Sequence, residues 1–135
     1  MYKNHRIAVI IPAYNEENSI AKVIRDIPTG VVDHLIVVNN NSRDDTAIVA
    51  LQSGAIVLDQ KLQGYGNACL MGISYVQKAD EVDIVVFLDA DYSDYPEYLT
   101  PMLDQIIENN VDFVIGNRAS KLREKGSMTF PQIAG

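Results

Sequence analysis

Two carboxylates separated by one small residue close an apolar run: Val85-Val86-Phe87-Leu88 leads into Asp89-Ala90-Asp91. A buried strand ending there delivers both acids to the rim of a sheet. Two such oxygen donors suit a hard divalent cation, Mg²⁺ or Mn²⁺, which takes carboxylates together with substrate phosphates. A metal on Asp89 and Asp91 would hold a diphosphate, a leaving group whose developing charge must be neutralised. An ordinary acidic strand end is the alternative.

Further chemistry-bearing groups follow other apolar runs. In Pro12-Ala13-Tyr14-Asn15-Glu16, Tyr14 can stack on a base and Glu16 can accept from a ribose hydroxyl. A surface loop with a helix-capping acid would read the same way. Asn39-Asn40-Asn41 offers donors and acceptors for a base edge, although asparagine is equally a good turn former. Gly64-Tyr65-Gly66 lets a backbone approach a ligand closely. It is not a dinucleotide fingerprint: Cys69 takes the place of the third glycine, and the loop follows the third predicted strand. Arg118, after Gly116-Asn117, can grip a phosphate bidentately or form a surface ion pair. His5 and His34 are isolated and read as structural or solvated.

The elements that position these groups alternate regularly. Strands are predicted at Arg6 to Ile11 (ended by Pro12), Leu35 to Val38, Ala55 to Leu58, Ile84 to Leu88 and Asp112 to Ile115. Helices are predicted between them. The first is capped by Ser19, with Ile20, Val23, Ile24 and Ile27 inward. The second begins at Asp44 and Asp45, with Ile48, Val49 and Leu51 on one side. The third runs from the Gly64 loop to about Gln77. The fourth starts at Pro96, with Tyr98, Leu99, Met102, Leu103, Ile106 and Ile107 as its apolar face. This βαβαβαβαβ order predicts an α/β fold, a mostly parallel sheet with helices on both faces. Ligands bind such sheets beyond the carboxyl ends of the strands, where the strand order reverses, and every polar motif above follows a strand's carboxyl end.

Composition narrows the partners. The 135 residues, 47% hydrophobic and 21% charged, suit one domain with one core. A formal net charge of −7 argues against nucleic-acid binding through a basic surface. Arg118, Lys121, Arg123 and Lys125 nevertheless form a basic cluster, which fits a specific anionic ligand, a membrane surface or a solvated tail. The single cysteine, Cys69, excludes an intrachain disulfide and a cysteine metal cluster, and reads as a helix core residue. Met1 to Arg6 is polar, unlike a signal peptide, and no apolar run has the roughly 20 residues of a membrane span, so a cytoplasmic setting is expected.

In order and spacing the chain resembles the family-two glycosyltransferases of GT-A fold. The likeness rests on Val9 to Glu16, Val37 to Thr46, the Gly64/Gly66/Ala68 loop, Phe87 to Asp91 and Val114 to Arg118, and spans residues 7 to 118. Gly116-Asn117-Arg118 and Gly126-Ser127-Met128-Thr129 look most like the polyprenyl-phosphate (dolichyl-phosphate-type) glucosyl- and mannosyltransferases.

The resemblance implies a UDP- or GDP-sugar donor and a lipid-phosphate or glycan acceptor, in cell-envelope glycan synthesis. Pro12, Ala13, Tyr14 and Glu16 would line the nucleoside pocket, with Asn39, Asn41, Gly64, Gly66 and Ala90 also against the nucleotide sugar. Asp89 and Asp91 would be the DXD motif that bridges Mg²⁺ or Mn²⁺ to the diphosphate. Arg118 would face the acceptor phosphate or the donor diphosphate. Asn39 stands where the family usually carries a base-contacting aspartate, and Ser93 where lipid-phosphate members often carry glutamine near the metal. Residues 1–118 would form the GT-A core and 119–135 the start of the acceptor side. Family members continue further, so the expectation is a donor half whose acceptor half is incomplete, with peripheral contact at the inner face of the membrane.

The expected reaction is an inverting glycosyl transfer. A phosphate acceptor is already anionic at pH 7 and needs no general base, which suits a stretch after Asp112 whose only acid is Glu124. Three rivals stand beside it. A haloacid-dehalogenase-like phosphatase also carries Asp-x-Asp, but on its first strand. A binding module would keep the pocket without turnover. A sugar-phosphate nucleotidyltransferase would want a glycine-rich, arginine-bearing loop after the first strand.

Overall fold

The structure, a computed structural model, describes residues 1–79, 82–91 and 96–109. Apolar runs and helical periods alternate as β1 (Ile7–Ala13), α1 (Ile20–Arg25), β2 (His34–Asn39), α2 (Thr46–Gln52), β3 (Ile56–Asp59), α3 (Tyr65–Lys78), β4 (Ile84–Phe87) and, after a 3₁₀ turn at Pro96–Tyr98, α4 (Leu99–Asn109). The strands are all parallel, in the order β3-β2-β1-β4. Two crossovers step outward from β1 to β2 to β3. The third returns past both strands and lands on the far side of β1. The direction reverses between β1 and β4, and their carboxyl ends flank that crevice.

Packing explains why β1 is central. Ile7, Val9, Ile11 and Ala13 face one layer, with α1, α2 and α4 laid over them. Ala8 and Ile10 face the other layer, under α3. A strand covered on both faces has no position for a polar side chain, hence its unbroken apolar run. Ile20, Val23 and Ile24 stand as predicted in α1, with Ser19 just before it, while Ile27 lies past its end and is half-buried. Leu99, Met102, Leu103 and Ile106 form the buried stripe of α4 at helical spacing.

Four local expectations are corrected. Pro12 does not end β1: the strand runs on to Ala13, with Pro12 opposite Val38. Leu88 donates to the Ile10 carbonyl, so even-numbered residues of β1 address β4. The β4 ladder stops at the Ile10–Phe87 pair, where Pro12 has no N–H to carry it on to Leu88. In α2, Ile48 and Leu51 point outward, 56% and 64% exposed, while Thr46 and Ala50 are buried. Thr46 sets this rotation because its hydroxyl accepts the Glu16 N–H and donates to Asp44, turning that side of the helix inward. Tyr98 is half-exposed because it sits in the 3₁₀ turn, off the stripe of α4. The Ser19 side chain does not cap its own helix, for reasons given below.

The predicted fifth strand, Arg118, Ser93 and the domain boundary at residue 118 lie outside the described residues. Among the described residues, no helix is long and apolar enough to cross a membrane.

Candidate functional site

Cross-chain hydrogen bonds hold the loops at the carboxyl edge of the sheet. The loop after β1 is stitched to the loop after β2: Asn15 N–H donates to Ser42 Oγ at 2.9 Å, and Arg43 N–H to Asn15 Oδ1 at 2.8 Å. Glu16 N–H donates to Thr46 Oγ1 at 2.8 Å, and Asp45 N–H to Glu17 Oε2 at 3.0 Å. Glu17 N–H reaches Asp44 Oδ2 at 3.2 Å. Burial alone would raise the Asp44 carboxyl, but hydrogen bonds from the Thr46 hydroxyl and from the Thr46 and Glu17 N–H groups outweigh it, so its pKa is lowered.

The loop after β2 is buckled in turn to the loop before α3. The buried Asn40 donates through Nδ2 to the Gln60 and Leu62 carbonyls at 3.1 and 2.9 Å, and its Oδ1 accepts the Gly64 N–H at 2.9 Å. Gly64, with φ of +131°, makes the turn into α3 in a backbone conformation that favours glycine. Finally, Ser19 at the head of α1 donates to the Ala90 carbonyl at 2.6 Å and lies 2.9 Å from Glu16 Oε2. That bond fastens the Asp89-Ala90-Asp91 turn to the loop after β1.

These ties surround a cavity of about 340 Å³ lined by Pro12, Ala13, Tyr14, Asn40, Gln63, Gly64 and Tyr65. Tyr14 enters from the loop after β1 and Tyr65 from the first residue of α3; at 46% and 56% exposure both rings are open to a ligand. Leu88 N–H is still bonded to the Ile10 carbonyl, so Asp89 leaves the sheet directly after the last tie between β4 and β1. Asp89 is half-buried, Ala90 buried and Asp91 exposed. The Asp89 charge also reaches α3: burial pushes the Cys69 thiol up, a hydrogen bond with Tyr65 opposes this, and the nearby Asp89 carboxylate adds to the rise. Cys69 is thus only partly a core residue.

Of the residues expected against the nucleotide, Pro12, Ala13, Tyr14 and Gly64 line this cavity. Asn39 and Asn41 line a separate small cleft with Ser42, Asp59, Gln60 and Lys61. Asn39 Nδ2 donates to Asp59 Oδ1 at 3.0 Å, and its Oδ1 accepts the Ser42 N–H at 3.2 Å, which is turn-building work. Glu16 serves Ser19, and Gly66 lies in the first turn of α3, where an added Cβ would meet nothing within 4 Å. The sequence names Asn40 only within the asparagine triplet and Tyr65 only within the glycine loop, and it does not single out Gln63. The signal for Asn40 was strand alternation: Val38 faces α3, so Asn40, two residues on, does too.

The donor set fits a divalent cation that shares its shell with a ligand. Among the described residues no cluster of three or more histidine, cysteine or acidic side chains comes together to cage a metal. Asp89 and Asp91 are hard oxygen donors on one turn, and Mg²⁺ characteristically takes one or two carboxylates with phosphate oxygens and water.

A parallel sheet with a switch point between β1 and β4, flanked by helices on both faces, is an α/β architecture of the GT-A fold. Residues 8–133 match the family model for glycosyl transferase family 2, and the chain belongs to that family. It is 40% identical over 119 residues to protein RfbJ of Shigella flexneri, covering 87% of this chain and 89% of RfbJ. It is 34% identical over 128 residues to the dolichyl-phosphate hexose transferase of Haloferax volcanii, covering 94% of this chain and 52% of that protein. Among solved structures, glucosyl-3-phosphoglycerate synthase from Mycobacterium tuberculosis in complex with Mn²⁺, UDP and glucosyl-3-phosphoglycerate superposes with a TM-score of 0.64 at 34% identity, covering 77% of this chain and 40% of the synthase. The chain therefore spans about half or less of the latter two proteins.

Proposed function

We propose that this chain carries the donor site of a metal-dependent, inverting glycosyltransferase that moves a hexose from a nucleoside-diphosphate sugar to a polyprenyl phosphate. The observation that carries the reading is the neighbourhood of the aromatic-walled cavity and the Asp89 turn at the switch point between β1 and β4. Relatives named for dolichyl-phosphate transfer and a neighbour crystallised with UDP and Mn²⁺ support the same chemistry.

The residues divide the work by chemistry. Tyr14 and Tyr65 offer flat apolar faces to a base, and Pro12, Ala13 and Gly64 complete the walls of the cavity. Asp89 and Asp91 would hold Mg²⁺ or Mn²⁺, which when bound supplies charge neutralisation to the departing diphosphate. Gly66, without a side chain at the head of α3, leaves room for the diphosphate to approach the backbone. Glu16 acts through Ser19, as a positioning residue for the acidic turn.

In the transfer, an acceptor oxygen attacks the anomeric carbon from the face opposite the diphosphate. The bond from that carbon to the diphosphate oxygen breaks, and its electrons leave with the nucleoside diphosphate. A phosphate acceptor attacks as the anion and gives up no proton. Arg118, outside the described residues, is proposed to face that phosphate.

The test is calorimetry of UDP-sugar binding with and without Mn²⁺, on the chain and on Asp91→Asn. Binding that requires Mn²⁺ and is lost in Asp91→Asn is the expected result. Equal affinity in the variant, with Mn²⁺ present, sinks the metal assignment. Donor binding without transfer to any lipid phosphate favours the binding-module reading.

A further inference from the structure

We infer that the outer edge of β3 is a dimerisation surface, and that its occupant is the β3 edge of a second copy of this chain, paired antiparallel across a two-fold axis. Among the described residues, β3 is the last strand on its side of the sheet. Gln60 N–H donates to the Asn39 carbonyl, so even-numbered residues address β2, while Val57 and Asp59 turn their N–H and C=O groups outward. Edges that stay solvated are blunted by lysine, proline or a bulge. Ile56-Val57-Leu58 carries none of these, and its register with β2 is unbroken.

Both flanks of this edge are apolar. On one face, β3 and α3 enclose a groove of about 670 Å³. Leu58, Leu70, Met71 and Tyr75 lie along it, with Asp59 toward one end and Lys78 toward the other. On the other face, α2 packs against β3. Ile56 on β3, Leu70 on α3, and Ile48 and Leu51 on α2 are all exposed; among the described residues Leu62 is the only other exposed leucine or isoleucine.

Charge selects the occupant. The chain has a net charge of −7, yet Thr46 to Lys78, which builds this edge and both flanks, holds one acid, Asp59, against two bases, Lys61 and Lys78. Two acidic copies repel each other least through such a face. The edge is also complementary to itself. Residues directly opposite in a sheet share a face, so the two-fold sets Val57 opposite either the partner's Val57 or the partner's Asp59. The first register keeps the two Asp59 carboxylates farther apart. It exchanges two hydrogen bonds between the Val57 backbones and sets Ile56 against the partner's Leu58 twice. Because α3 runs antiparallel to β3, each Asp59 moves toward the groove end where the other copy carries Lys78. Lys78 makes no ion pair among the described residues.

Size-exclusion chromatography with light scattering tests this on the chain, Val57→Pro and Leu70→Asp, at tens of micromolar protein. The unaltered chain is expected at twice its own mass and no more, because a two-fold that pairs one edge closes the assembly. Val57→Pro removes an outward N–H that only a partner accepts and leaves the bonds to β2 in place, so it should run as a monomer with unchanged far-ultraviolet circular dichroism. Leu70→Asp changes an exposed helix position and decides the matter should the proline perturb the strand. It should weaken the dimer about tenfold or more, by setting a charge in the apolar flank. A monomeric unaltered chain overturns the inference, as does an assembly larger than two. A dimer that Leu70→Asp and a folded Val57→Pro both retain overturns it too, since the contact then lies on another face.

Discussion

The Ser19 hydroxyl donates to the Ala90 carbonyl at 2.6 Å, across a sequence separation of 71 residues. Ser19 occupies the capping position of α1, yet its side chain bonds no N–H of that helix. It gives up a local cap, ordinarily worth about 1 kcal/mol, to hold the turn between Asp89 and Asp91. Ser19→Ala therefore separates stability from ligand binding. The expected change is a small fall in Tm, since one net hydrogen bond contributes roughly 0.5–1.5 kcal/mol. Mn²⁺-dependent UDP affinity should fall by more than that stability loss accounts for, as the two carboxylates lose their common orientation. Ser19→Thr, which keeps the hydroxyl, should recover it. Equal nucleotide affinity in Ser19→Ala would reduce the bond to a structural tie.

Asn40 should be the most sensitive polar side chain at this edge. Asn40→Ala strands the Gln60 and Leu62 carbonyls and the Gly64 N–H at a position 6% exposed. The expected cost is about 2–4 kcal/mol, larger than for one bond because three groups lose a partner together. Urea denaturation measures it. Asn39→Ala, by contrast, removes an exposed bond to Asp59 and the bond from the Ser42 N–H, and should cost less, about 1–2 kcal/mol. Reversal of that ranking would contradict the division of labour described for the two asparagines.

The architecture was legible where one physical rule acted alone. The unbroken run Ile7 to Ile11 announced a strand buried on both faces, and Val85 to Leu88 announced the strand that delivers Asp89. Legibility failed where a partner distant in sequence chose between local options. Three adjacent asparagines look alike, but only Asn40 points to the α3 side, where its partners sit 20 to 24 residues away. Ile48 and Leu51 read as inward residues until Thr46 bonds Glu16 and Asp44 and rotates α2. Tyr65 was visible between two glycines, yet its place in the same cavity as Tyr14 depends on the turn at Gly64.

Asp44 gives the acid limb of stability a specific source. Its pKa is lowered in the folded chain, so the unfolded state binds the proton more readily. The contribution to stability is full above the unfolded carboxylate value of about 3.9 and is lost as pH falls below it, through the lower folded value. Asp44→Asn removes that dependence. Tm measured between neutral pH and the acid range should fall less steeply in the variant, with the two curves furthest apart at neutral pH. Parallel curves would assign the acid limb to other carboxylates, Asp33 among them, whose bonds to the chain amino group and the Ile7 N–H also lower its pKa against burial.

Two glycines of α3 should separate packing from ligand approach. At Gly72 an added Cβ would lie 2.6 Å from Cγ2 of Ile10, a fully buried side chain of the central strand. That atom is fixed to a branched carbon and cannot swing aside, so Gly72→Ala forces α3 off the sheet at about 1–3 kcal/mol, read as a clear drop in Tm. At Gly66 the same methyl meets nothing within 4 Å, and the backbone there is already helical, so alanine is tolerated by the fold and favoured by helix propensity. Gly66→Ala should therefore keep or raise Tm while weakening nucleoside-diphosphate binding, because the methyl would occupy the space through which a diphosphate nears the helix. Unchanged UDP affinity in Gly66→Ala would show that the diphosphate does not approach α3 there. Its position would then have to be set by Asp89 and Asp91 from the β4 side of the crevice.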